Sequence, residues 1–163
     1  MEKEDNKKAL IKKCIEIKTF KPLTCFEPDD VMLNVLDLVS SSDLTEKNLL
    51  DFLNFAIYHN YNINYADIDN YSLVSYSALY GYLNLLTFLI KNNSNLNIID
   101  KEEKCTPLHM AIYNENIKVA KLLIKYGVDL TLKDKDGLTP LDASIKDGHK
   151  DIVILLVLKG ARK

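Results

Sequence analysis

A chain of 163 residues that is 47% apolar and 27% charged is long enough to bury a core of its own, and five Gly, four Pro and three Cys exclude collagen-like and disulfide-scaffold classes. The longest apolar run, Ile152–Leu158, is seven residues, short of the roughly 20 needed to span a membrane, and no apolar stretch follows Met1–Asp5 to make a secretory signal. The net charge of −2 hides an acidic middle: residues 29–100 carry two Lys against nine acids, and residues 101–163 carry twelve bases against nine acids. Arg162 is the one arginine among 21 basic residues, and arginine is the usual reader of guanine edges and phosphates, so nucleic-acid recognition is not expected.

Along the chain, Asp5–Phe20 sets Leu10, Ile11, Cys14, Ile15 and Ile17 against Lys7, Lys8, Lys12, Lys13 and Lys18, which predicts an amphipathic helix. Asp30–Val39 and Thr45–Asn60 predict two more. From there on the chain repeats itself. Thr106-Pro107-Leu108 recurs as Thr139-Pro140-Leu141, an offset of 33, and Ser72 precedes Thr106 by 34. Asp67, Asp100 and Asp134 keep the same frame if one residue is inserted within Lys101–Lys104. Ser72, Thr106 and Thr139 read as N-caps, with Pro107 and Pro140 at first helical positions. Asn60, Asn93, Gly127 and Gly160 each follow an apolar stretch, where the chain turns through positive φ. Within the middle unit the marks predict helices over 107–114 and 116–125.

Thr106-Pro107-Leu108-His109-Met110-Ala111, followed by Leu122–Asp129, resembles the ankyrin repeat, and Gly137–Leu141 with Gly148–Val153 continues the pattern. Leu73 and Ser75 depart from it in the first unit. The resemblance implies an all-α solenoid of helix-turn-helix units with finger loops and an N-terminal helical cap. It divides the chain into a leading helix and linker (1–28), a degenerate capping repeat (29–71) and ankyrin repeats over 72–105, 106–138 and 139–163. The leading helix is expected to lie over the open end of the stack, because each unit buries its faces only on its neighbours.

The same resemblance implies protein binding through finger tips and the exposed side of the inner helices. By matched position the first unit offers Ile68, Asp69, Tyr71, Leu79 and Tyr80. The second offers Ile99, Lys101, Glu102, Glu103, Lys104, Tyr113 and Asn114, and the third Lys133, Lys135, Asp136, Leu138, Lys146 and Asp147. Tyr71, Tyr80 and Tyr113 stand where the scaffold is expected to leave side chains free, as large anchors. Ile154 and Leu158 replace Lys121 and Lys125 of the preceding unit and form an i,i+4 stripe, read as a second contact for weak self-association or an edge of the partner interface.

The chemistry-bearing residues have structural readings. His109 is a motif residue, expected to bond to the Thr at its helix start and to nearby backbone; His149 is another motif position, and His59 precedes a turn. None of the three shows metal-binding spacing. Phosphate-loop, dinucleotide and nucleophile-elbow motifs are absent, so no cofactor, metal or catalytic residue is expected. Cys14, Cys25 and Cys105 are odd in number and far apart, which points to a reducing compartment. The expected function is non-catalytic binding that masks or inhibits one target protein in the cytoplasm, with delivery into a host cell as one route there. An alternative is an F-box-like adaptor for a ubiquitin ligase, read from Pro28–Leu36 followed by Asp43-Leu44; a hydrolytic enzyme built on Cys105 and His109 is the third reading.

Overall fold

The computed structural model describes residues 2–16, 20, 23, 26–41 and 45–162. Cys25, Ile17, Lys18 and the Asp43-Leu44 pair of the F-box resemblance lie outside the described residues, as do the side chains of residues 2–7. The described helices run α1 Glu2–Glu16, α2 Pro28–Ser40, α3 Glu46–Tyr58, α4 Leu73–Tyr80, α5 Leu83–Lys91, α6 Pro107–Tyr113, α7 Ile117–Lys125, α8 Pro140–Lys146 and α9 Lys150–Leu158. None is long and apolar enough to cross a membrane. They fall into two compact units, residues 1–67 and 68–163.

In the first unit α1 packs on α2 and α3. Ile11, Cys14 and Ile15 of α1 are buried with Met32, Val35 and Leu36 of α2 and with Leu49, Phe52 and Leu53 of α3. Leu10, expected on the same face, is 40% exposed. Thr45 caps α3 by accepting from the Asn48 amide, and Tyr61 donates its hydroxyl to the Leu23 carbonyl at 3.2 Å.

The second unit is the solenoid. Inner helices α4, α6 and α8 stack on one another, and the outer helices α5, α7 and α9 back them. Each inner helix is short, so its start must be fixed chemically. Ser72, Thr106 and Thr139 each accept from the amide three residues on, while Ser75, His109 and Asp142 reach back to the cap amide. Positive φ occurs at Asn60, Asn93, Gly127 and Gly160, the four turn positions expected from the pattern.

Between inner and outer helices the chain turns again through positive φ at Gly81, Glu115 and Gly148. Gly81 has a second constraint. The Asn116 amide of the next repeat donates to the Ala78 and Leu79 carbonyls at 2.9 and 2.8 Å, closing the end of α4. A Cβ on Gly81 would stand 2.5 Å from Asn116 Oδ1. Gly81→Ala is therefore expected to cost about 2 kcal/mol, from the left-handed backbone and the displaced Asn116 bonds together, read by chemical denaturation. Gly127, whose Cβ would meet nothing within 4 Å, is the control that isolates the backbone part.

Candidate protein-binding cleft

The finger loops hold one wall of the site. Asp100 is 1% exposed and works as a scaffold anion: Oδ1 accepts from the Glu102 and Glu103 amides at 3.0 and 2.7 Å, and Oδ2 from the Cys105 amide at 2.8 Å. In the next finger Asp134 Oδ1 accepts from the Asp136 and Leu138 amides at 3.0 and 2.9 Å. Each finger then turns through positive φ, at Asn70, Lys104 and Gly137. Asp100 and Lys104 are one residue further apart than Asp134 and Gly137, which puts the inserted residue where the repeat frame requires it. Adjacent fingers are tied by backbone, Lys101 N–H to the Asp69 carbonyl at 3.0 Å and Lys135 N–H to Glu103 at 2.8 Å. The Lys101 ammonium donates to the Ile68 carbonyl at 2.6 Å, and Lys135 pairs with Glu103 at 2.5 Å.

Fingers and inner helices enclose a cleft of about 280 Å³ that draws on all three repeats. Tyr71, Glu103, Cys105, Asp134, Lys135 and Asp136 come from the three fingers, and Leu79, Met110, Tyr113 and Lys146 from α4, α6 and α8, with Asn114 just after α6. Met110 and Cys105, at 4% and 8% exposure, make its deep part, whereas Lys135, Asp136 and Lys146 are exposed at the rim. Of the expected binding residues, Tyr71, Leu79, Glu103, Tyr113, Asn114, Lys135, Asp136 and Lys146 line this cleft. Ile68, Asp69, Tyr80, Ile99, Lys101, Glu102, Lys104, Lys133, Leu138 and Asp147 do not. Ile68 is 81% exposed at a finger tip, and the Ile99 and Leu138 carbonyls are taken up by Asn70 and His109. Cys105, Met110 and Asp134 were not among the expected residues.

The scaffold engages each of the three tyrosines expected as anchors. The Tyr113 hydroxyl donates to Asp134 Oδ2 at 2.5 Å, so this ring is held in place as part of the wall. Tyr71 and Tyr80 pack on the ring of Tyr76, with centroids 5.5 and 6.2 Å away. Tyr76 escaped the sequence reading, although it precedes Tyr80 by one helical turn. Burial, and then the bond to Asp134, pushes the Tyr113 phenol well above its usual value. Burial works the other way on the Asp134 carboxyl, but bonds from Tyr113 and the Leu138 amide hold it below the usual range.

The candidate catalytic groups are spent on structure. His109 is fully buried; its Nδ1 lies 2.9 Å from the Thr106 hydroxyl, and its Nε2 lies 3.1 Å from the Leu138 carbonyl. The carbonyl can only accept, so the proton sits on Nε2 and Nδ1 is the acceptor. Burial, followed by the charges of Asp100, Asp134 and Glu103, pushes the Cys105 thiol up to about 12, so it is not a thiolate at neutral pH. No cluster of metal-ligating side chains occurs among the described residues. In the F-box-like stretch Met32, Val35 and Leu36 are buried in the first unit, leaving Pro28 and Leu33 at the surface. Ile154 and Leu158 are 60% and 77% exposed, as their i,i+4 stripe implied.

Comparison with known proteins agrees with this geometry. The family model described as three copies of the ankyrin repeat matches residues 42–134 and 74–163. An ankyrin repeat protein of fowlpox virus is 34% identical over 111 residues, 68% of this chain and 26% of the relative. An ankyrin repeat protein of Rickettsia felis is 37% identical over 113 residues, covering 63% of this chain and 48% of the relative. The inhibitor of Bruton tyrosine kinase of Xenopus laevis is 41% identical over 78 residues, 47% of this chain and 6% of the relative. The chain thus spans less than half the length of these relatives.

Proposed function

This chain belongs to the ankyrin-repeat family, a family of protein–protein interaction modules, and we propose that it captures one target protein in the cleft between fingers and inner helices and masks it. The observation that carries this reading is the make-up of the cleft: Leu79, Met110, Tyr71 and Tyr113 beside the Asp134 carboxylate, among the charged side chains of Glu103, Lys135, Asp136 and Lys146. A mixed cleft with aromatic and aliphatic side chains among charges suits an anchor side chain flanked by charged neighbours that fix register. The fitting segment carries one apolar side chain of leucine or methionine size, with a basic neighbour toward Asp136 and an acidic neighbour toward Lys146. Ile68, Asp69, Tyr80, Ile99, Lys101, Glu102, Lys104, Lys133, Leu138 and Asp147 would then form an outer ring of weaker contacts. The likeness to part of a protein named as a kinase inhibitor supports masking. The cytoplasm of a cell, a host cell included, is the compartment we propose.

The test is affinity capture with wild type and with a Tyr71→Ala, Lys146→Glu variant, read by mass spectrometry. Tyr113 is left intact because its hydroxyl anchors Asp134. One dominant protein, held by wild type and weakened more than about tenfold in the variant, is the expected result. Equal capture by both baits would remove the cleft from the account.

A further inference from the structure

The repeat over residues 139–163 carries a second surface, apart from the cleft. Ser144, Ile145, Gly148, Lys150, Val153 and Ile154 line an open apolar depression of about 450 Å³. Val157 and Leu158 extend it along α9, at 56% and 77% exposure.

Two sets of positions in this face have different origins. Ile145, Val153 and Val157 match Ile112, Ala120 and Ile124 of the preceding repeat at the offset of 33, and those three are at most 1% exposed under the next repeat. That set belongs to the stacking surface. Ile154 and Leu158 match Lys121 and Lys125, which stay exposed although a repeat is stacked beside them. Lys121 even reaches Asp151 of the next repeat at 3.3 Å while remaining 45% exposed. A stacked repeat therefore does not cover positions 154 and 158, and stacking gives no reason for their being apolar. Whatever covers them must lie along the outer length of α9 itself.

We infer that the occupant is a second copy of this chain, its α9 packed antiparallel on α9 about a two-fold axis at Ile154. Ile154 is the midpoint of Lys150–Leu158, so an antiparallel pairing centred there sets Ile154 against its own copy and Lys150 against Leu158. The row Ile154/Leu158 is i,i+4, the ridge that interdigitates in the commonest class of helix crossing. The charges agree with this orientation. Asp147 flanks the N-terminal end of α9, and Lys159 and Arg162 its C-terminal end; all three are exposed. Antiparallel packing puts the acid of one copy beside the bases of the other, and the Lys150 ammonium beside the last carbonyls of the opposing helix, where cations are favoured. The contact is isologous and closes at two copies. Its apolar part, centred on two side chains of each copy, is small against the roughly 800 Å² per partner of a standard interface, so the dimer is a weak one.

Sedimentation velocity of the full chain, from about 1 to 500 µM, reads the proposal directly. The expected result is a sedimentation coefficient that rises with concentration to that of a dimer in wild type. Ile154→Lys with Leu158→Lys, both at exposed positions, should weaken association more than about tenfold while the circular-dichroism melt stays unchanged. Asp147→Arg should weaken it more mildly, and adding Arg162→Asp should return it. A wild type that stays monomeric throughout overturns the proposal, as does a double lysine variant that still dimerises; a charge swap that returns nothing overturns the antiparallel arrangement.

Discussion

His109→Ala is expected to destabilise the repeat unit by about 3–4 kcal/mol, measured by chemical denaturation at neutral pH. The imidazole is fully buried and ties the start of α6 to the following finger, taking the Thr106 hydroxyl at 2.9 Å and giving to the Leu138 carbonyl at 3.1 Å. Alanine removes the ring, takes the Nδ1 acceptor from the Thr106 amide and hydroxyl and one donor from the Leu138 carbonyl, which keeps the Asp134 amide, so a cavity cost adds to the lost hydrogen bonds. The same residue makes stability depend on pH. Burial lowers the folded value below the ordinary 6.5, even though the Leu138 bond and the Asp134 charge act to raise it. As pH falls below 6.5 the unfolded chain takes up this proton first, so stability is full above that value and is lost as pH descends toward the folded value. Asp134, whose folded value is depressed, contributes at and above its ordinary 3.8 and loses that contribution only below it. Between pH 6.5 and about 4 the acid sensitivity assigned to His109 should therefore be missing from the alanine variant.

Asp100→Ala is expected to cost about 3 kcal/mol and to weaken target binding at the same time. Its carboxylate takes three backbone amides within one finger, and at 1% exposure it has little water to replace it. Charge-assisted bonds of this kind are roughly twice as strong as neutral ones. The finger it organises carries Glu103 and Cys105 into the cleft, so the loop should loosen where the partner binds. Asp100→Asn should not rescue it, because the amide nitrogen would face the Glu102 and Glu103 donors or the Cys105 donor. Hydrogen exchange at the amides of residues 102, 103 and 105 would speed up in both variants; unchanged protection would show that the carboxylate does not set the loop.

The repeat frame is legible in the chain because its marks are local. A Thr or Ser cap, a proline after it and a turn residue each act within one helical turn, so their spacing survives in the sequence as 33 or 34 residues. The extra residue near Lys101–Lys104 is visible for the same reason, since Asp100 and the left-handed Lys104 bracket it. The cleft is less legible because it is assembled across repeats. Tyr113 and Asp134 are 21 residues apart, and nothing in their spacing announces the bond that converts a presumed free anchor into a wall. Met110 and Cys105 carry no binding signal in the sequence; their side chains are nearly buried, yet they form the deep part of the cleft. Tyr76 sits in α4 among residues buried on every side, so periodicity alone does not separate it from the core.

The central claim is that this module holds its target in the cleft of fingers and inner helices. The most direct measurement is a backbone amide chemical-shift map of the labelled chain titrated with the captured protein. The account predicts shifts concentrated at Tyr71, Leu79, Glu103, Asn114, Asp136 and Lys146, with the outer faces of α5 and α7 unmoved. Shifts confined to α5 and α7, with the cleft silent, would contradict it.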